Sequence, residues 1–511
     1  LFNNKNALTF LTLSLLYMIL VYHGYLSDGV TWDDDCVHRF QNTQNAFASP
    51  NEFVKLWNRP LFVILFSFPA QLGRLGIVFF MPILAIIGAY YIYKSVSFLG
   101  YKNSLAAIPL YLFQSYHMPI SYNALTEPVA ACLLAVIFYF FVRRKILFFI
   151  LLASLLPLIR LELVLLFPLF IVFTYAYLDK SLIKIGKYCL YLIAPLAIWN
   201  MAGYLINGDL FFLYSRTFGE SGYRYYNNVD FFHYINKYVY IVGPTMLFMI
   251  WSGICIRLSD WKRSSVDERF NLVCFFFTFC IYIIFSWKLT LGQPAGFLRH
   301  LIVLTPFAAV LSLYGMNSLL QERRKMISYY MMLVPLPLSV FFFSSYELSQ
   351  FTKFIYGKPS YENFGVISIW FILFLFLNIK KIENYNRYYK TIAPFVICLV
   401  VISHTLYANP PKAHDSDERR LITHVSDWFN DKQLPYNKIV LSNHPYFFWA
   451  GNLNRGSEMF MKVNRKNISK APVGSFILWD RHYCRKQYTK DLVGDDLIPL
   501  ISKQKLSIVK D

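Results

Sequence analysis

Residues 7–26, ALTFLTLSLLYMILVYHGYL, with Trp32-Asp33-Asp34-Asp35-Cys36-Val37-His38-Arg39-Phe40 close behind, decide the fold class. The first segment carries no Asp, Glu, Lys or Arg. Its length matches the roughly 20 apolar residues that a helix needs to cross the hydrocarbon of a bilayer. It is too long and too evenly apolar for a signal-peptide core, and no small-residue cleavage site follows, so it reads as an uncleaved first span. Three consecutive carboxylates then mark the return to water.

Comparable apolar runs lie at 75–97, 104–119, 121–142, 146–158, 161–178, 188–206, 237–257, 270–287, 300–319, 326–345, 363–379 and 391–407, about thirteen spans in all. Two of them are short, and Pro119 and Pro157 predict kinked or tilted segments there. Composition agrees. Of 511 residues, 56% are hydrophobic, 19% are aromatic and only 15% are charged, against roughly 25% charged in an ordinary soluble domain. The reading is an all-α polytopic membrane protein, and a water-soluble enzyme is excluded because so few charges could not cover its surface.

The net charge of +20 has a local explanation. With the N-terminus inside, nearly every tight Lys/Arg cluster of the membrane part falls in an inner loop: 101–102, 143–145, 179–187, 257–269, 322–325 and 380–390. Cytoplasmic loops carry such an excess, so no nucleic-acid partner is expected. The outer loops are 27–74, 207–236, 288–299 and 346–362, and an odd span count puts the C-terminus outside.

The last stretch differs in kind. Residues 407–511 hold 17 Lys+Arg and 11 Asp+Glu, so 28 of 105 positions are charged, against 50 in the preceding 406. Leu421, Val425, Trp428 and Phe429 share one face of a predicted helix, and 438–442, 475–479 and 506–509 read as short buried strands. The chain thus divides into a transmembrane domain, 1–406, and a small C-terminal α/β domain, 407–511, on the extracytoplasmic side. Of eight cysteines, six lie in apolar runs, and only Cys36 and Cys484 lie in polar segments. No metal-type Cys/His spacing occurs.

Candidate chemistry gathers at the outward ends of the spans. The repelling carboxylates Asp33, Asp34 and Asp35 suit a general base, and Asp33 with Asp35 offers hard oxygen ligands to Mg or Mn. Arg59 precedes the second run and suits a phosphate, as well as plain interfacial anchoring. His117 opens the stretch leading to Thr126-Glu127-Pro128, where a carboxylate stands at a helix start. Arg160 and Glu162 lie between two short spans, where ionisable residues are functional candidates. Gly292-Gln-Pro-Ala-Gly296-Phe-Leu-Arg299-His300 is a glycine-containing turn that delivers Arg299 and His300 to the interface, as phosphate recognition requires. No GxxxxGK[ST], strand-anchored GxGxxG or HExxH motif occurs.

On these residues the chain resembles the GT-C superfamily of integral-membrane glycosyltransferases, which includes protein O-mannosyltransferases and lipid A aminoarabinose transferases. Asp34-Asp35-Cys36-Val37-His38 matches the family's D-[DE]-x-x-[YHQ] loop motif. Thr126-Glu127 and Arg160-Leu161-Glu162 are similar to its Thr-Glu and Arg-Pro-Glu segments, with Leu in place of Pro. Gly296-Phe297-Leu298-Arg299-His300 with Pro306 is similar to its late Gly…Arg-Tyr…Pro entry, with His for Tyr. The WWD-type motif of oligosaccharyltransferases is missing.

The resemblance implies inverting transfer of one hexose or pentose, mannose among them, from a polyprenyl-phosphate donor to a lipid, glycan or protein acceptor of the cell envelope. Asp34 would be the base, beside Asp35 and Asp33. Arg299, Arg59, Arg160 and His300 would hold the donor phosphate, and His38, Glu127, His117 and Glu162 would line the substrate. A bacterial inner membrane is the expected location, with the endoplasmic reticulum as the alternative. A transporter or flippase of lipid-linked sugars and a polysaccharide polymerase or ligase remain as other classes.

Overall fold

The structure, a computed structural model, describes residues 4–27, 34–219, 229–288, 296–319, 386–408, 417–431, 439–453, 459–480 and 483–484. The membrane part begins with α1 (Asn4–Leu26), α2 (Asp34–Gln44), α3 (Pro60–Phe66), α4 (Arg74–Phe98), α5 (Ala107–Leu112) and α6 (His117–Ile120). It continues with α7 (Thr126–Val142), α8 (Ile146–Ala153), α9 (Leu156–Ile159), α10 (Leu166–Phe173), α11 (Leu182–Asn207) and α12 (Phe212–Tyr214). Then come α13 (His233–Val242), α14 (Pro244–Ser259), α15 (Val266–Trp287), α16 (Thr305–Leu319) and α17 (Asn386–Ala408). The C-terminal part holds α18 (Asp417–Asp431), α19 (Pro445–Ala450) and α20 (Arg465–Lys470) around strands β1 (Val440–Ser442), β2 (Phe460–Met461) and β3 (Phe476–Leu478).

Among the described residues, six helices are long and apolar enough to cross a membrane: 6–26, 74–98, 161–178, 182–207, 266–287 and 298–318. Counting α13 and α14, bent by 116° at Gly243, as one broken span gives seven. This is an integral membrane protein, but the full count of thirteen spans is not reached. The runs 326–345 and 363–379 lie outside the described residues. Others are broken. The run at 104–119 splits into short helical pieces, and every residue from 106 to 132 is buried, so it forms core and not lipid surface. The run at 146–158 breaks between α8 and α9, just ahead of Pro157. Proline removes a helical N–H and crowds the preceding turn, which produces such breaks.

Lipid-facing and core-facing helices separate by their exposure. On α11, Leu182, Ile183, Leu190, Ile193, Ile198 and Leu205 are all exposed, as lipid contact requires. The span at 298–318 is instead almost wholly enclosed. α14 and α16 approach closely because both carry glycine at the crossing. A Cβ at Gly253 would lie 2.2 Å from Leu311 O, and one at Gly315 would lie 2.0 Å from Met249 O. Small residues permit such backbone contact between membrane helices.

Three of the basic loops meet at one end of the bundle. Arg144 donates to both carboxylate oxygens of Asp267, at 2.7 and 2.9 Å. Arg257 pairs with Glu268, which also accepts from the Tyr101 hydroxyl at 3.0 Å. The N-terminus of α7 lies at the other end, beneath α2.

β1, β2 and β3 form a parallel sheet in the order β2-β1-β3, with Ser442 opposite Leu478. α18 packs on it through Ile422 and Phe429, against Val440, Phe447 and Phe448. The face predicted for this helix needs one correction: Leu421 is exposed, while Arg419, Ile422 and Ser426 turn inward with Phe429. Ser426 bonds the Phe447 carbonyl, and Arg419 points at α2, so polar partners take the places that apolar periodicity assigned. The predicted strand at 506–509 lies outside the described residues. Cys36 and Cys484 lie in polar segments, yet both thiols are buried. α19 docks on α2, with Gln41 donating to Pro445 O at 2.9 Å and Phe40 edge-on to Trp449.

Candidate active site

Glu127 is the centre of the site. It stands in the first turn of α7, where aligned N–H dipoles favour a carboxylate. Arg160 Nη1 lies 2.7 Å from Glu127 Oε1, Arg299 Nε 3.4 Å and His300 Nε2 3.8 Å. Arg160 bonds Glu162 at 2.6 Å, and Glu162 accepts from the Tyr282 hydroxyl at 3.2 Å. Arg299 also pairs with Asp35 on α2. One guanidinium therefore joins the outer loop to the buried cluster.

Local backbone explains how these groups converge. Gly296 has φ of 77°, the left-handed region that glycine favours, and its carbonyl lies 2.8 Å from His233 Nε2. A Cβ there would lie 2.5 Å from Val229 Cγ1. This turn starts the 3₁₀ segment Leu298–Leu304, which carries Arg299 and His300 inward. Arg160 is extended, between α9 and a 3₁₀ turn at Leu161–Leu165, so it and Glu162 reach the cluster from a break in the helix. Arg59 has φ of 64°, uncommon for a residue with a Cβ, is buried, and caps α3 within electrostatic range of Glu162 and His300.

The two acids of α2 face different partners. Asp34 accepts from Arg419 at 3.3 Å and from the Tyr483 hydroxyl at 2.6 Å, both from the C-terminal part. Asp35 meets Arg299, with two-fifths of its side chain open to solvent. Protein crowded around Asp35 pushes it up to about 6 even though part of the side chain stays open to solvent; the Arg39 charge opposes this, and the Glu127 and Asp34 carboxylates add to it.

Of the residues expected from sequence, Asp35, Glu127, Arg160, Glu162, Arg299 and His300 form one contiguous group, and Asp34 lies beside it. His38 packs edge-on between Trp57 and Tyr483. His117 stands apart: it is buried against Tyr111, with Nδ1 3.5 Å from Leu112 O. Asp33 lies outside the described residues, and with it half of the Asp33–Asp35 pair expected to hold Mg or Mn.

Four residues were missed. Arg39 is buried on α2, donates to Trp57 O and Asn58 O at 3.0 and 3.2 Å, and acts electrostatically on Asp35 and Glu127. Its i+4 spacing from Asp35 was the available signal. Tyr282, Arg419 and Tyr483 gave none, because distant segments bring them in.

Neither a protein-family model nor a curated protein matches the chain. Among solved structures it is similar to ArnT from Cupriavidus metallidurans bound to undecaprenyl phosphate, with TM-score 0.59, 11% identity and coverage of 88% of this chain and 86% of that one. It is likewise similar to ArnT from the same organism in the apo state, with TM-score 0.59, 11% identity and coverage of 87% and 84%. The chain thus shares the fold of ArnT over most of its length.

Proposed function

We propose that this protein is a membrane glycosyltransferase that moves one sugar, with inversion, from a polyprenyl phosphate to an acceptor hydroxyl. The observation that carries the reading is a gathering of buried arginines. Among the described residues, Arg39, Arg59, Arg160 and Arg299 face Asp35, Glu127 and Glu162, while Asp34 is matched by Arg419. Four guanidinium groups gathered around three carboxylates suit an anionic headgroup, which arginine holds through charge-assisted hydrogen bonds. A phosphodiester brings one negative charge. The ArnT structure with undecaprenyl phosphate supports a carrier of that class.

In this mechanism the acceptor oxygen attacks the anomeric carbon and the bond from that carbon to the phosphate oxygen breaks. The electron pair stays on the phosphate, and the hydroxyl proton passes to Asp34. Inversion puts base and leaving group on opposite faces of the sugar. Arg299 and the buried arginines suit the leaving side, where they stabilise developing charge. Asp34, turned toward Arg419 and Tyr483, suits the acceptor side, and Asp35 holds Arg299 until phosphate displaces it. The transferred sugar is a hexose or pentose, and mannose is the first donor to try. His38 lines the acceptor side. The basic loops at the opposite end of the bundle support a site on the outer face, and the membrane we propose is a bacterial inner membrane, with the endoplasmic reticulum as the alternative of the same topology.

The test is purified protein in detergent with radiolabelled polyprenyl-phosphate sugar and a hydroxyl acceptor. Consumption of the donor in detergent, with no use of a soluble nucleotide sugar, supports the reading. Movement of the labelled lipid across sealed vesicles without consumption makes the protein a transporter.

A further inference from the structure

A second cluster lies outside the arginine site. Glu418, His444 and Asp480 each turn one ligand atom into a common space, with those atoms all within 4.8 Å of one another. His444 is wholly buried, and its Nε2 lies 3.1 Å from Glu418 Oε1. Asp480 is oriented by the Tyr483 N–H, which donates to its Oδ1 at 2.5 Å. We propose that these three residues bind a divalent transition metal of the zinc class.

The topology supports this independently of the side chains. β1 ends at Ser442 and β3 at Leu478, and these two residues are paired in register. His444 and Asp480 each follow by two positions, so they occupy equivalent places beyond the carboxyl ends of adjacent parallel strands. With the order β2-β1-β3, the chain leaves β1 toward one side and returns to the other. The crevice between β1 and β3 is therefore a switch point, where open α/β sheets bind ligands. Glu418 closes the crevice from the first turn of α18.

The donor set selects the metal. One imidazole nitrogen with two carboxylate oxygens suits zinc, whereas Mg and Ca favour all-oxygen shells. Ligands about 2.1 Å from a tetrahedral ion stand ~3.4 Å apart, so closure needs movements of about 1 Å. Three protein ligands leave the fourth position open.

The neighbours of the ligands give the site a role. Arg419 follows Glu418 and Tyr483 lies three residues past Asp480, and both hydrogen-bond Asp34. A bound metal fixes the segments that hold Asp34, and this positioning role rests on the transferase reading. The binding itself does not.

Full-length protein in detergent, stripped with chelator, is titrated with zinc and, separately, with magnesium by calorimetry. One zinc per chain is expected, bound at least tenfold more tightly than magnesium. Zinc should raise the unfolding temperature and slow hydrogen exchange at 417–423 and 483–484. Glu418→Gln and Asp480→Asn, both at partly exposed positions, should each weaken zinc at least tenfold and remove the thermal shift. His424→Ala, at an exposed histidine of the same helix, should leave binding unchanged. Absence of zinc binding, a preference for magnesium, or binding that survives both conservative variants overturns the proposal. None of these readouts uses a sugar donor, so the metal site and the transferase reading stand or fall separately.

Discussion

Arg160 Nη1 stands 2.7 Å from Glu127 Oε1 with both side chains almost fully enclosed, at 5% and 3% exposure. Such a pair contributes little net stability, since desolvation offsets the attraction, but losing one partner strands the other. Glu127→Gln leaves Arg160 and Arg299 facing each other without their shared carboxylate. The variant should lose about 3–5 kcal/mol in denaturant unfolding. Arg160→Met added to it should recover part of that loss, giving a coupling energy of about 1–3 kcal/mol. Strictly additive effects would show that the two residues do not act as a pair.

Asp34→Asn keeps the size of the side chain and removes the base. Turnover should fall by a factor on the order of 10² or more while protein yield holds. Tyr483→Phe removes one hydrogen bond to the same carboxylate and should cost about tenfold. If Asp34→Asn turns over like wild type, the base lies elsewhere.

Arg299→Ala should raise the donor KM about tenfold or more, because one charge-assisted contact to phosphate is worth about 1.5–3 kcal/mol. Arg299→Lys should recover only part, since the planar fork is lost. A changed protein yield with an unchanged KM would make Arg299 a packing residue.

Asp35 predicts a pH effect of definite sign. Its pKa is pushed up to about 6. Below that pH the carboxyl is neutral and its hold on Arg299 weakens; above it the charged group competes with phosphate. The donor KM should therefore fall as pH is lowered through about 6. A phosphodiester keeps its single charge across this range, so the change reports the protein. Asp35→Asn should give a low, flat KM and lose less than tenfold in turnover. A wild-type KM independent of pH would remove Asp35 from this role.

The sequence by itself determined the solvent of each segment. Apolar length named the membrane helices that the structure keeps, because a helix in lipid must satisfy its own backbone and present apolar side chains. Loop charge sorted the two ends, and the intramembrane acids and arginines stood out because burying them in lipid is costly. That is why Glu127, Arg160, Glu162 and Arg299 were legible one by one, whereas Asp34 and Asp35 stood out as a run of repelling carboxylates behind the first span. Continuity of the helices was less legible: the run at 104–119 was long enough to span, yet it became buried core.

Only the tertiary structure decided who pairs with whom. Asp34 and Asp35 are adjacent and chemically identical, yet one meets Arg419 and Tyr483 and the other meets Arg299. The partners are 385, 449 and 264 residues away, and no local periodicity encodes such distances. Successive side chains on a helix point about 100° apart, so neighbours in sequence face different walls of the site. Which wall carries which charge is fixed by packing: the turn at Gly296 aims Arg299, and the docking of α19 on α2 brings the C-terminal residues over Asp34.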